Sequence, residues 1–90
     1  MEEKFLAALE ANRQKAEKLG ARIRPITDIK QVHRLLSGSR TSDGFAQLAQ
    51  WGRLDLSLEA LAVDKRFTAL FDDEQANTAL IRLLDAGHRF

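Results

Sequence analysis

The strongest constraint on the fold is the spacing of apolar residues near the end of the chain. Five of them follow the i, i+3, i+4, i+7, i+8 pattern of an amphipathic helix. They are Ala76, Ala79, Leu80, Leu83 and Leu84. Asp72, with Gln75 three residues later, is typical of a capping box at the start of such a helix, and Gly87 is typical of its end. The segment therefore predicts a helix that packs one face against a core.

The N-terminal segment predicts another helix, from Glu2 to Leu19, which ends at Gly20. One seam of this helix has the 4-3-4-3 spacing of a helix–helix contact. It contains Phe5, Leu9, Asn12, Ala16 and Leu19. Two heptads are too short for a free coiled coil, so the seam packs either on another helix of this chain or on a second copy of it. Asn12 is then either a half-buried residue near the surface or a polar contact that sets the register of a homodimer.

The next helix is expected to begin at Asp28, or at Thr27, and to end at Gly38. Between the first two helices, residues 21–26 alternate apolar and basic side chains, and Pro25 disfavours a helical conformation in the residue before it. This segment predicts an extended linker or a short edge strand.

Two further short helices are expected in the middle of the chain. One begins at Thr41 or Ser42 and ends at Gly52, and "RLDL" after it is expected to be extended. The other begins at Ser57. Its apolar residues change face within residues 57–71, which predicts either a bend at "VDKR" or a helix buried on both sides.

Together these segments predict one all-α domain spanning residues 1–90, with four to five short helices. Leu and Ala dominate the apolar residues and there is one Pro, which favours helix over sheet. The expected core is Phe5, Leu9, Leu19, Ile29, Val32, Leu36, Phe45, Leu48, Leu58, Leu61, Phe67, Leu70, Leu80, Leu83 and Leu84. We also expect Phe90 to fold back onto it.

The composition favours a cytoplasmic protein. The chain contains no Cys, which excludes a disulfide framework and thiolate chemistry. Its first residues lack the basic and apolar regions of a signal peptide, and no apolar run approaches the length of about 20 residues that spans a bilayer. A membrane partner is therefore not expected.

Charge is divided unevenly along the chain, although the net charge is only +1. Residues 1–40 contain nine Lys and Arg and five Asp and Glu (+4), whereas residues 41–90 contain five and eight (−3). The two halves are expected either to attract each other within the fold or to leave a basic surface for an acidic partner.

The loop "GSRTSDG", from Gly38 to Gly44, resembles an anion cradle in composition. A phosphate-binding P-loop needs four residues between its glycines, followed by Lys and Ser or Thr. Here five residues separate the glycines and Phe45 follows. The loop is therefore interpreted as a connector between two helices. A weaker anion site, formed by Arg40 and the start of the next helix, would be opposed by Asp43.

No catalytic, metal or cofactor motif is present, and the chain is not expected to be an enzyme. His33 has no signature neighbour, and His88 stands at a helix end, where a cation suits the helix dipole. The acidic run from Asp72 to Glu74 points in different directions on a helix and is interpreted as a helix start. No metal ligand, cofactor site or catalytic residue is assigned.

The function favoured by the sequence is binding to a protein partner, as a small regulatory or interaction domain. The candidate residues are Trp51, Arg53 and Asn12, because Trp and Arg are common in interface hot spots and Asn12 interrupts the apolar seam. A homodimer through the first helix is one form of this hypothesis.

The alternative is a nucleic-acid-binding accessory protein that uses the basic half. Its candidate residues are Arg22, Arg24, Lys30, Arg34 and Arg40. The stretch from Phe45 to Val63 has the length of a helix–turn–helix. Its second helix offers Ser57, Glu59 and Asp64, which have the wrong charge for a recognition helix near phosphates.

Overall fold

The computed structural model describes residues 1–88, which form five α-helices and two 3₁₀ helices. The expected all-α fold is confirmed. The α-helices are α1 (Glu2–Leu19), α2 (Ile29–Ser37), α3 (Phe45–Gln50), α4 (Leu58–Ala62) and α5 (Asp73–Asp85). The 3₁₀ helices are Leu54–Leu56 and Lys65–Leu70. The described part of the chain measures 30 × 26 × 22 Å and has no β-strand, so the segment between α1 and α2 is a linker rather than an edge strand.

Three helix starts and the end of α1 agree with the local sequence signals. Asp28, Ser57 and Asp72 each accept a hydrogen bond from a backbone N–H in the first turn of α2, α4 and α5. Asp72 and Gln75 complete the capping box in both directions. Gly20 has φ 109°, the left-handed conformation that ends α1 at little cost because glycine has no Cβ.

The start of α3 differs from the prediction. Neither Thr41 nor Ser42 caps this helix; its first residue follows Gly44, which has φ 74° and offers no side chain. The predicted cap is wrong because the hydroxyl of Ser42 donates instead to Glu59.

The "RLDL" segment is also not extended. Leu54–Leu56 is a 3₁₀ helix, closed by hydrogen bonds from the N–H groups of Leu56 and Ser57 to the carbonyls of Arg53 and Leu54. Leu54 and Leu56 are both buried because this short helix packs between α1, α3 and α4. Leu54 and Leu56 are two positions apart and both face the core, although the segment is not a strand.

Of the two alternatives for residues 57–71, a bend or a helix buried on both sides, the bend is the one observed. Helix α4 ends at Ala62, and Asp64 accepts from the backbone N–H of Arg66 to begin the second 3₁₀ helix. This change of direction allows the apolar residues on either side of the bend to face one core.

The core consists of two clusters. The first contains Phe5, Leu9, Val32, Leu36, Leu58, Leu61, Ala62, Phe67, Phe71 and Ala79. At its centre, the ring of Phe5 lies edge-on to Phe67 and to Phe71, with centroids 5.1 and 5.2 Å apart. The second contains Ala16, Ala21, Phe45, Leu48, Leu54, Leu56 and Leu83. Helices α1 and α5 contribute to both clusters and so connect them.

The seam of α1 packs on this chain. Phe5, Leu9 and Ala16 are all buried within it. The first of the two alternatives for the seam is therefore the one observed, and Asn12 is half-buried in it.

Three residues expected in the core are exposed instead: Leu19, Leu80 and Leu84. Leu19 is the last residue of α1, where Gly20 turns the chain away from the seam. Helix α5 contacts α2 and α4 and buries Ala79 and Leu83. Leu80 and Leu84 follow these residues by about 100° around the helix, which turns them towards solvent.

Two further expectations concern Phe90 and membrane-spanning helices. Phe90 lies outside the described residues. Among residues 1–88, no helix combines the length and the apolar character needed to cross a membrane.

Candidate interaction surface

A buried ion pair holds α4 against α5. Glu59 in α4 is fully buried, and its Oε2 lies 3.3 Å from Nη1 of Arg82 in α5. The same carboxylate accepts two hydrogen bonds from Ser42, one from its backbone N–H (3.0 Å) and one from its hydroxyl (2.6 Å). We call these three residues and their hydrogen bonds the buried polar network.

Arg82 extends this network to the end of α2. Its Nη2 donates to the backbone carbonyls of Leu35 (3.1 Å) and Gly38 (2.8 Å). Helix α2, the "GSRTSDG" loop, α4 and α5 are thus joined by one set of charge-assisted hydrogen bonds, which are stronger than neutral ones. Among the described residues no buried side-chain nitrogen or oxygen lacks a partner.

The loop is therefore a connector, as expected, but a structurally anchored one. Ser42 is buried, while Arg40 and Asp43 at the tip are exposed. The backbone N–H of Arg24 lies 3.4 Å from Oδ2 of Asp43, which joins the linker after α1 to the loop. An acidic group thus lies beside the place where an anion would have to sit.

The outer face of α5 carries the largest group of exposed aliphatic side chains in the described chain. Leu80 is 36% exposed, Ile81 48% and Leu84 55%. They are neighbours on the helix surface because residues three and four apart lie on one face. We call these three residues the α5 stripe.

A shallow groove runs beside the α5 stripe, between α5, the end of α4 and the second 3₁₀ helix. Its lining includes Val63, Thr68, Asp73, Ala76, Asn77 and Leu80. Of all the residues that line it, Asp73 is the only charged one. The groove continues the apolar surface of the stripe onto the neighbouring elements.

The exposed charged side chains of α5 itself are acidic. Asp73 and Glu74 are exposed in the first turn of α5 and Asp85 is exposed in its last turn. None of these three carboxylates forms an ion pair within residues 1–88. Arg82 is the only basic residue of α5, and it points inward to Glu59. The exposed side of α5 is therefore apolar and negative.

Trp51, a candidate from the sequence, lies at the surface. It follows the last residue of α3 and is 39% exposed. A Cβ placed on Gly20 would lie 3.7 Å from Cη2 of Trp51, so the indole lies beside the end of α1. Leu19, 46% exposed, precedes that glycine.

Of the other two candidates from the sequence, Arg53 follows Trp51 by two residues, whereas Asn12 lies on α1. Nε of Arg53 lies 3.1 Å from Oδ1 of Asp55, and this hydrogen bond raises the pKa of Arg53 and lowers the pKa of Asp55. Asn12 lies eight residues before Gly20, about 12 Å along α1. The structure thus separates Asn12 from the other two candidates.

The five basic candidates are all exposed. They are Arg22, Arg24, Lys30, Arg34 and Arg40. Within residues 1–88 their side chains form no ion pair, and none of the ion pairs joins residues 1–40 to residues 41–88. The opposite charges of the two halves are therefore not joined by ion pairs within residues 1–88.

In the helix–turn–helix interpretation, Ser57, Glu59 and Asp64 would be the side chains that the second helix presents to a partner. Ser57 and Glu59 are buried, so neither is presented to a partner. Asp64 is paired with Arg66 at 3.0 Å, and the hydrogen bond from that guanidinium lowers the pKa of Asp64. The first turn of α4 serves the core rather than a surface.

The side chain of His33 contacts an amide group of α5. Nδ1 of His33 lies 3.0 Å from Oε1 of Gln75, an amide rather than a carboxylate. His88 contributes to lowering the pKa of Asp55 through its charge. Within the described part of the chain, no group of three or more His, Cys, Asp or Glu side chains is placed to hold a metal ion.

Sequence reasoning missed the α5 stripe and the buried polar network. A signal for the stripe existed, because Leu80, Ile81 and Leu84 with the buried residues make α5 apolar around more than half of its circumference. A signal for Glu59 also existed: it is the only charged residue of Leu58–Ala62. Its partner Arg82 is 23 positions away, and no local pattern indicates that pairing.

Comparison with protein-family models, with curated proteins and with solved structures finds no match to this chain.

Proposed function

We propose that this chain is a small non-catalytic protein-binding domain that docks a partner on the α5 stripe. The observation that carries the proposal is the exposure of Leu80, Ile81 and Leu84 side by side on one helix. Scattered exposed apolar residues are ordinary, but a contiguous group in a small protein is typical of an interaction site.

The surroundings of the α5 stripe support a docking role. Ala79 and Leu83 on the inner face of α5 are fully buried, so the helix does not need the stripe to attach itself to the core. Arg82 fixes α5 to α4 and to the end of α2. A binding site on a rigid element loses little conformational entropy when a partner arrives.

The α5 stripe replaces the seam of α1 as the proposed docking surface. Phe5, Leu9 and Ala16 are buried by their own chain, so a homodimer through α1 would have to use its charged outer face. Trp51 remains a candidate for a second, smaller contact, because its indole is partly exposed beside Leu19. We also expect the protein to act in the cytoplasm, as its cysteine-free sequence predicts.

The test is a photo-crosslinking experiment in the cells that make the protein. Ile81 is replaced by a photoreactive benzoyl-phenylalanine, and Gln47, exposed on α3, is replaced in a matched control. We expect a discrete protein adduct from position 81 alone, and its loss when Leu84→Ser is added. Equal labelling from both positions, or an adduct that survives Leu84→Ser, would contradict the proposal.

A second candidate function is nucleic-acid binding by the basic half. The observation that favours it is the absence of ion pairs on Arg22, Arg24, Lys30, Arg34 and Arg40 within residues 1–88. Titration with duplex and single-stranded nucleic acid at low salt tests it, because phosphate contacts are strongest there. Binding that falls steeply with salt and weakens in Arg34→Gln supports this candidate; no binding at low salt removes it.

A further inference from the structure

We infer that the partner of the α5 stripe is an amphipathic helix whose apolar face is bordered by Lys and Arg side chains. This inference rests on the proposed function, because it names the chemistry of what docks there. Helices recognise such surfaces by placing apolar anchors at i, i+3, i+4 and i+7 into the groove of the partner.

The charge of the exposed side of α5 favours a basic partner. Asp73 and Glu74 at one end of α5 and Asp85 at the other are exposed and unpaired within residues 1–88. The buried polar network turns Arg82 inward, so α5 presents no Lys or Arg at the surface. Complementary potentials favour association and suppress partners of the same sign.

The length of α5 sets the length of a partner helix that lies along it. The rise from Asp73 to Asp85 is about 18 Å, which matches a partner helix of about 12 residues lying along α5. The α5 stripe lies between these acidic ends, and the groove beside it is apolar apart from Asp73 and the polar groups of Thr68 and Asn77. A partner helix lying along α5 would therefore place its apolar anchors over the α5 stripe and the groove, and its basic residues near Asp73 and Asp85.

The same observations disfavour the other occupants. A symmetric contact between two copies of α5 would bring the acidic ends of one copy close to those of the other. Anionic membranes and nucleic acids carry the same sign as Asp73, Glu74 and Asp85.

The test uses three synthetic helical peptides with identical leucine positions. Their flanking positions are all Lys, all Gln or all Glu, and binding to the whole protein is followed by fluorescence anisotropy. We expect the Lys peptide to bind about tenfold more tightly than the Glu peptide at low salt, the size expected from a few exposed ion pairs. Because exposed charges are screened, the difference should shrink at high salt.

Variants of the protein assign the effect to α5. Asp73→Asn combined with Asp85→Asn should remove most of the preference for Lys, whereas Asp43→Asn, an exposed acid on the "GSRTSDG" loop, should leave it unchanged. Leu84→Ser should weaken all three peptides. These side chains are exposed, and a thermal unfolding curve for each variant verifies that it folds.

The outcomes separate this inference from the proposed function. Equal binding of the three peptides overturns the basic partner and leaves a docking site without charge preference. If no peptide binds while position 81 still crosslinks a protein, the inference falls and the proposed function stands. Self-association that Leu84→Ser abolishes would identify a second copy as the occupant and overturn the inference.

Discussion

At the scale of single residues, Glu59 is notable because a carboxylate is fully buried there, at a large cost in desolvation free energy. Removing a carboxylate from water costs several kcal/mol, and the attraction of a partner offsets this only when the remaining acceptor sites are satisfied. Arg82 and the two donors of Ser42 supply those contacts. The carbonyls of Leu35 and Gly38 do the same for Arg82.

Glu59→Gln is expected to lower the free energy of unfolding by about 3 kcal/mol, because it leaves the guanidinium of Arg82, whose side chain is only 9% exposed, without a counter-charge. Urea denaturation at neutral pH measures this. Glu17→Gln is the matched control: Glu17 pairs with Arg13 at 2.5 Å, but its side chain is 49% exposed, so a change below about 1 kcal/mol is expected.

A second substitution examines the pair itself. Glu59→Gln is expected to destabilise the fold by leaving Arg82 without a counter-charge. Adding Arg82→Met should then recover part of the lost free energy of unfolding, because the double variant contains no uncompensated charge at this site. A double variant that is less stable by the sum of both single effects would show that the two residues act independently.

Ser42→Ala is expected to lower stability by about 1.5–3 kcal/mol, the usual contribution of a hydrogen bond to a charged group, because the buried carboxylate loses its 2.6 Å donor. The control is Ser39→Ala, three residues earlier in the same loop and exposed. Chemical denaturation of both variants measures the difference, and equal effects would argue against an anchoring role for Ser42.

At the scale of elements, short helices depend on their ends and on their neighbours. Helix α4 has only five residues, yet it contacts α1, α5 and both 3₁₀ helices. Ser57 caps its start, and Asp64 caps the 3₁₀ helix that follows. Isolated helices of this length are unstable, so caps and packing rather than propensity maintain them.

The cap at Asp64 predicts a specific loss of stability in acid. Its pKa is lowered, first by the hydrogen bond from the Arg66 side chain and then by that from the Arg66 backbone. A carboxyl whose folded pKa lies below its unfolded value contributes stability above the unfolded pKa and loses it as pH falls through the folded one. The contribution of Asp64 should therefore disappear as pH falls below about 3.8, its ordinary pKa.

Urea denaturation of wild type and Asp64→Asn between neutral pH and strong acid measures this contribution. The two proteins should differ most at neutral pH and converge in strong acid. Because the pair with Arg66 is partly exposed, added salt should reduce the difference. A difference that persists unchanged in strong acid would indicate a cause other than ionisation.

At the scale of the whole molecule, the two core clusters are joined by α1 and α5. Phe5 and Leu9 of α1 lie in the first cluster and Ala16 in the second, while α5 supplies Ala79 to one and Leu83 to the other. Neither cluster can open without disturbing both of these helices. We therefore predict that residues 1–90 behave as a single folding unit.

Leu36→Ala tests this unity. Leu36 is buried in the first cluster, and the substitution should lower stability by about 3 kcal/mol through lost burial and a residual cavity. Trp51 reports from beside the end of α1, whereas far-UV circular dichroism reports on all helices. Both signals should shift to lower denaturant by the same amount, and separate midpoints would indicate two units.

Features that depend on residues close in the sequence were predicted correctly, whereas features that depend on the packing of distant residues were not. Asp28, Ser57 and Asp72 were correctly predicted as caps because each contacts a backbone N–H only two or three residues away. Leu80 and Leu84 were misplaced because periodicity identifies an apolar face but not how much of it the fold covers. The pairing of Glu59 with Arg82 depends on how α4 meets α5, which no local pattern contains.

The buried polar network has a consequence for exchange with solvent deuterium. The backbone N–H of Ser42 belongs to a loop, and loop amides ordinarily exchange rapidly because they open without unfolding the core. This amide donates to the carboxylate of Glu59, which is itself enclosed by α4 and α5. It can be released only when that enclosure opens. A single loop amide should therefore be protected like the helices around it, while exposed neighbours such as Ser39 and Arg40 exchange freely.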